Sequence, residues 1–429
     1  MPSLKPSGPP AVRMFNVGFG DCFVLSIPYP DRSRHVLIDF GSKPKPKTAP
    51  GNLMEEIARN IAAVCGGKLD AVVATHRHAD HISGFGGKSG KIIAGLKPTV
   101  VVQPWTEHPD AATNATKAPA FLAVTRSYMR GLREAGRFGR MLAALPENRR
   151  LALGKPLAKR LQFAGENAIS NKAAVKNLMT MGQQKPVYVN FGSKSGLESV
   201  LPGVKIHVLG PPTVEQSKTI QSYAKSSPDY WLRQQRGLLA IADLVARSQA
   251  RRRLFPRATP VSIRSANPQA RWFIQRIRQA AADEVRSIVT ELDDVLNNTS
   301  VILLFQIGSK KLLFPGDAQL ENWSYALHPD RVKPYKKLLE QVDLYKVGHH
   351  GSLNATPKRL WDLFVRRSGT ASSTRLKSAM STMPGVHGGK HGKPTEVPRS
   401  TLVDALKSET KFETTQGKPA NSQPVLIEF

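Results

Sequence analysis

The chain has 429 residues, enough for one large domain with insertions or for two ordinary ones. Hydrophobic residues make up 40% of it, which permits a packed core, and no apolar run approaches the ~18 residues of a membrane span. Lys and Arg number 62 against 32 Asp and Glu, a formal charge of +30. That is far beyond the ~2–8 that solubility asks of a small domain, so it points to a polyanionic partner, most commonly nucleic acid.

The opening stretch "MPSLKPSGPP" has no apolar segment after its first basic residue, so no signal peptide is expected. The two cysteines, Cys22 and Cys65, are too few for a disulfide framework and sit in apolar contexts. They read as core residues, and the expected location is the cytoplasm. "VRMFNVG", "CFVLSI" and "HVLIDFG" read as short strands, the last ending in a carboxylate and a glycine. "KPKPKTAPG" is a Pro/Lys-rich loop. "NLMEEIARNIAAVCGG" is helical, with Leu53, Ile57, Ile61 and Val64 on one face and Gly66 as its stop. "LDAVVATH" is a buried strand and "KPTVVVQPW" another. The order predicts a layered α/β fold.

Residues 110–200 break this pattern, being rich in Ala, Lys and Arg with helical stretches. Strands resume at "VKIHVLGPP". A second irregular stretch covers about 214–296. Between Arg247 and Arg286 it carries ten arginines and no lysine against Asp283 and Glu284. Its segment "RWFIQRIRQAAADEVRSIVTELDDVL" has helical periodicity. Strand signals return at "SVILLFQIG" and "KKLLFPGD". The expectation is a single domain over 1–429 with basic, largely helical insertions at about 110–200 and 214–296. The alternative is a small separate helical domain formed by both insertions.

The chemistry concentrates in "THRHADHISGFGG", residues 75–87, at the C-terminal end of a buried strand. His76 and His78, at alternate positions, can face one ion. Asp80 and His81 lie one turn further and can face a second. Imidazole nitrogen and carboxylate oxygen suit Zn²⁺, Mn²⁺ or Fe²⁺.

This motif resembles that of the metallo-β-lactamase superfamily, and further stretches follow in order. "FNVGFGDCFVLSI" with "HVLIDFGS" is similar to the fold's opening strands. "NNTSVILLFQIGSKKLLFPGDA" is similar to its fourth motif and "VDLYKVGHHGSLNAT" to its fifth. "STMPGVHGGKHGKPTEVPRSTLVDAL" is similar to the closing strand and helix. The details come nearest to the metallo-β-lactamase domain of ComEC-type DNA-uptake competence proteins. The likeness covers roughly residues 12–105, 200–212 and 297–429, and leaves out the insertions.

The resemblance implies an α/β fold of the αββα sandwich type and two divalent metal ions, Zn or Mn. It implies that His76 and His78 hold one ion, that Asp80, His81 and His349 hold the other, and that Asp317 bridges both. Asp21 and Asp39 become outer acceptors that orient ligating imidazoles. Asp80 is a further candidate to accept a proton, and His350 and His391 to protonate a leaving oxygen or hold a phosphate. Ser352 is a candidate phosphate contact, whereas Lys346 reads as a salt-bridging residue. Two departures stand out. "KIHVLGPP" has prolines where the superfamily often carries a third histidine, and His207 within it reads as a packing residue. The late "GHP" appears as "KHGKP", with His391 displaced by one step.

Members of such a fold hydrolyse β-lactams, thioesters, lactones and phosphodiesters, so the fold does not fix the substrate. Charge favours a nuclease or phosphodiesterase on DNA or RNA. Arg251, Arg252, Arg253, Arg271, Arg276 and Arg278 are candidate backbone-phosphate contacts. One competing reading is a small-molecule hydrolase whose basic insertions bind a protein partner or an anionic surface. Another is a nucleic-acid-binding scaffold with an inert metal site.

Overall fold

The structure, a computed structural model, describes residues 4–46, 48–108, 171–213, 216–217, 297–383, 396–420 and 423–429. These belong to one compact unit drawn from 1–129, 170–221 and 296–429. Most of both basic insertions lies outside the described residues, and with it the question of one domain or two.

Two mixed sheets form the frame. The first runs β13 (Val425–Glu428), β1 (Ala11–Met14), β2 (Cys22–Ile27), β3 (Arg34–Phe40), β4 (Ala71–Val73), β5 (Val100–Pro104) and β6 (Val187–Val189). The second runs β12 (Lys411–Thr414), β11 (Lys377–Met380), β10 (Leu344–Lys346), β9 (Lys310–Phe314), β8 (Ile302–Ile307) and β7 (Lys205–Gly210). From β3 to β6 the first sheet is parallel, with Val36 opposite Ala71, Ala71 opposite Val100 and Val102 opposite Val187. In the second, β9 to β12 are parallel.

Alternation along the strands explains the layers. Phe23 and Leu25 of β2 share one apolar cluster with Leu303, Phe305 and Ile307 of β8, so this core lies between the sheets. Cys22 and Val24 face the other way, onto helices Leu53–Val64, Gly87–Gly95 and Lys172–Thr180. Likewise Ile302 and Leu304 of β8 meet the helices Leu320–Ala326, Lys358–Trp361 and Ser400–Glu409. Because both faces of β2 are covered, its sequence reads as a continuous apolar run with every residue buried.

The helix over Leu53–Val64 buries Leu53, Ile57 and Ile61, as its spacing predicts, and Gly66 follows with φ 56°. Both cysteines are free and buried, and burial pushes the Cys65 thiol up to about 12. Residues 171–200, read from sequence as part of the first insertion, instead supply a helix and the edge strand β6. Among the described residues no helix is long and apolar enough to cross a membrane.

Candidate metal centre

Five strand ends converge. Asp39 closes β3, the run after β4 delivers Thr75 and His76, and Asp317 follows β9. His349 and His350 follow β10, and Ser381 follows β11. Carboxyl ends of strands are where open α/β sheets place ligands.

The backbone of the histidine loop is fixed first. Asp39 adopts a left-handed φ of 56°, a conformation that costs a non-glycine residue about 1–3 kcal/mol and clusters at functional sites. Its Oδ1 accepts the Thr75 N–H at 2.7 Å and its Oδ2 the Thr75 hydroxyl at 2.7 Å. The Asp21 N–H donates to Asp80 O at 2.9 Å, and the Gly41 N–H to Asp21 O at 3.0 Å. Gly41 has to be glycine: a Cβ there would stand 2.5 Å from Asp80 O and collide with the Asp80–His81 peptide. His78 then opens a single turn, Ala79–Ile82, whose His81 and Ile82 N–H groups donate to His78 O at 3.0 Å.

The side chains meet in two overlapping groups. Ligand-capable atoms of His76, His78 and Asp80 lie within 4.8 Å of one another, and so do those of Asp80, His81, Asp317 and His350. All six residues are buried. Asp39 Oδ2 accepts from His81 Nδ1 at 2.8 Å, which turns His81 Nε2 towards Asp317 Oδ2 at 3.0 Å. His350 Nδ1 donates to Ser381 O at 2.9 Å, and its Nε2 faces Asp80 Oδ2 at 3.3 Å and Asp317 Oδ2 at 3.6 Å. Phe19 packs on the His350 ring at 4.2 Å between centroids.

In two respects the geometry groups these residues differently from what the resemblance implies. The histidine that joins the acidic group is His350, not His349. Both have left-handed backbones, with φ of 45° and 52°, so their rings diverge. Ser381 and Phe19 pin the His350 ring inward. His349 Nδ1 instead takes hydrogen bonds from Gln319 Nε2 at 3.3 Å and the Ser352 hydroxyl at 3.0 Å, and its Nε2 lies 3.4 Å from the Asn297 amide. Its nearest carboxylate oxygen, Asp317 Oδ2, is 4.0 Å from Nε2. Secondly, the residue common to both groups is Asp80 rather than Asp317. Asp317 Oδ1 is turned away, accepting the His349 N–H at 3.1 Å and facing Lys346 Nζ at 3.5 Å.

Asp39 is hydrogen-bonded to His81 Nδ1. Asp21 lies 3.7 Å from His81 Nδ1 and 3.6 Å from His350 Nδ1, but its closest partner is Lys346. Lys346 is a salt-bridging residue, as its strand position suggests. His207 lies half-buried in β7 against Tyr335, with ring centroids 5.5 Å apart, as the packing reading expects. His391 and the six arginines Arg251, Arg252, Arg253, Arg271, Arg276 and Arg278 lie outside the described residues. Sequence reasoning missed Thr75, Asn297, Gln319 and Ser381. The paired amides in "NNTS" and the glutamine after "GDA" were the available signals for two of them.

The electrostatics fit a cation. His76 Nε2 and Asp80 Oδ1 are buried atoms with no hydrogen-bond partner among the described residues. Leaving such groups unsatisfied costs about 1–3 kcal/mol each, a cost that a bound ion would offset. Burial alone would push His81 down, but the carboxylates of Asp317, Asp39 and Asp80 outweigh it and hold its pKa well above the ordinary histidine value. Burial keeps His76 and His78 below that value, so both present neutral nitrogens. Neutral imidazoles beside buried carboxylates form a donor set that could hold a metal ion. No known family model and no curated protein matches the chain.

Proposed function

We propose that the chain is a metal-dependent hydrolase of the metallo-β-lactamase type that cleaves phosphodiester bonds of DNA or RNA, working in the cytoplasm. The observation that carries the reading is the convergence of ligand-capable atoms of His76, His78, Asp80, His81, Asp317 and His350, all buried, within 4.8 Å of one another in two overlapping groups. The layer order, with apolar cores between the sheets and under helices on each outer face, supports the same reading.

In this reading His76, His78 and Asp80 would hold one divalent ion, and Asp80, His81, Asp317 and His350 would hold a second. Such ions, when bound, supply Lewis acidity that makes water nucleophilic near neutral pH and offsets the charge that builds on phosphate. The chain's own groups do the rest. The His81 and His350 charges hold the Asp80 carboxyl below its ordinary value against burial, so it would stay ionised as a ligand. Gln319 Nε2 and the Ser352 hydroxyl lie against His349 Nδ1 and the Asn297 amide against Nε2, which hold the ring at the rim of the site, where it would contact substrate. Burial pushes the His349 pKa down to about 4 against the pull of Asp317, so the ring is neutral at pH 7. The net charge of +30 selects among substrates, since a small ester does not call for ten arginines in one insertion.

The test is incubation of the purified protein with labelled single-stranded DNA, double-stranded DNA and RNA, each with Mn²⁺, Zn²⁺ or Mg²⁺. Cleavage that chelator abolishes and that Asp317→Ala lacks is the expected result. A protein that holds metal yet cuts none of the three strands would sink the nuclease reading.

A further inference from the structure

Lys346 lies at the end of β10, is 2% exposed, and belongs to neither metal-binding group. An ammonium so deeply buried needs its charge balanced and its three N–H groups accepted. Both needs are met by oxygen. Nζ touches Asp21 Oδ2, donates to Gly316 O at 3.1 Å and faces Asp317 Oδ1 at 3.5 Å. Asp21 is itself part of a third group of potential ligands, with Asp39 and His81, whose ligand-capable atoms lie within 4.8 Å of one another. Two carboxylates and a carbonyl around one point form the kind of all-oxygen cradle that hard divalent cations favour.

We propose that Lys346 is the resident cation of this cradle: it excludes a divalent ion from Asp21 and confines Asp317 to metal binding through Oδ2 alone. The proposal rests on the metal-centre reading above. Lys346 is a positioning residue, acting through Asp317 and Asp21 rather than on substrate. Its position explains why the Oδ1 and Oδ2 atoms of Asp317 have opposite surroundings. Oδ1 has Lys346 and the His349 N–H, while Oδ2 has only imidazoles. Without the ammonium, Asp21 and the side of Asp317 Oδ1 that the His349 N–H does not occupy become open to an ion.

The test counts Mn²⁺ per chain by equilibrium dialysis and elemental analysis, with melting curves recorded in chelator and in excess Mn²⁺. Lys346→Met keeps the length of the side chain and removes its charge. It is expected to bind one more Mn²⁺ per chain than the wild type, and its melting temperature should rise more steeply with Mn²⁺. The double variant Asp21→Asn with Lys346→Met dismantles the cradle and is expected to return to the wild-type count. A folded Lys346→Met with an unchanged count overturns the proposal. Should that variant be unfolded in chelator, excess Mn²⁺ must restore its fold, and failure to do so overturns the proposal equally. A wild type that binds no Mn²⁺ or Zn²⁺ at all defeats the metal-centre reading instead.

Discussion

His81 donates from Nδ1 to Asp39 Oδ2 at 2.8 Å, and the same carboxylate holds the Thr75 N–H and hydroxyl. One side chain therefore sets both the ring orientation of a metal-site histidine and the path of the loop that bears it. Asp39→Asn keeps the shape but leaves an amide where three donors converge. Losing such an outer partner typically lowers metal affinity 10–100-fold. The variant is expected to show a drop in Zn²⁺ affinity of about that size in competition with a chromogenic chelator. An unchanged affinity would mean that His81 does not need Asp39 to present Nε2.

The two adjacent histidines separate cleanly. His350→Ala removes a nitrogen 3.3 Å from Asp80 Oδ2 and 3.6 Å from Asp317 Oδ2. It is expected to lower the number of tightly held ions. His349→Ala removes a ring held by Gln319 and Ser352. It is expected to keep the metal count and to lower turnover. Elemental analysis of both variants decides the matter, and the opposite pattern would restore His349 as the ligand.

Much of this centre is legible in the sequence because its parts are local. His76, His78, Asp80 and His81 fall within six positions behind an apolar strand, and that packing alone points to an ion. The order of the "HH" pair is not legible, since it turns on two consecutive left-handed residues and on Ser381 and Phe19, which are far away in the chain. Strands β1 to β5 and β7 to β9 follow from apolar or alternating stretches. Strand β6 does not, because "VYV" is three residues long, half exposed and set within Lys-rich sequence. Nor does β13, whose place beside β1 pairs Ala11 with Glu428 across nearly the whole chain.

Protons should leave as metal enters. In the metal-free chain His81 is held well above its ordinary 6.5 by Asp317, Asp39 and Asp80, despite burial. His350 is raised as well, by Asp317 and Asp21 against burial. A raised histidine contributes stability that is fully present below ~6.5 and is lost as pH rises through the folded-state pKa. An ion competes with those protons, so metal affinity must rise over the same range. At pH 7 metal loading is expected to release up to about two protons per chain, since His76 and His78 are already neutral. Calorimetric titration in two buffers of different ionisation enthalpy measures the number. A binding enthalpy that does not depend on the buffer would refute the assignment of His81 as a protonated group displaced by metal.

The arginine-rich segment gives the sharpest test of substrate. Ten arginines from Arg247 to Arg286 face only Asp283 and Glu284 within that stretch. Like charges so close in sequence repel, and phosphates would neutralise them. The chain leaves this segment and reaches Asn297, whose amide lies 3.4 Å from His349 Nε2. In the sequence, Arg286 and Asn297 are separated by ten residues. Replacing Arg251, Arg252 and Arg253 together by alanine is expected to weaken binding to all duplex sequences alike. It should also flatten the dependence of log affinity on log salt by up to ~0.9 for each phosphate that is no longer neutralised. Hydrolysis of a short chromogenic phosphodiester, too small to span beyond the metal centre, should stay nearly unchanged. If that small-substrate rate collapses while affinity for long strands holds, the segment supports the site rather than gripping nucleic acid, and the electrostatic argument for a nuclease fails.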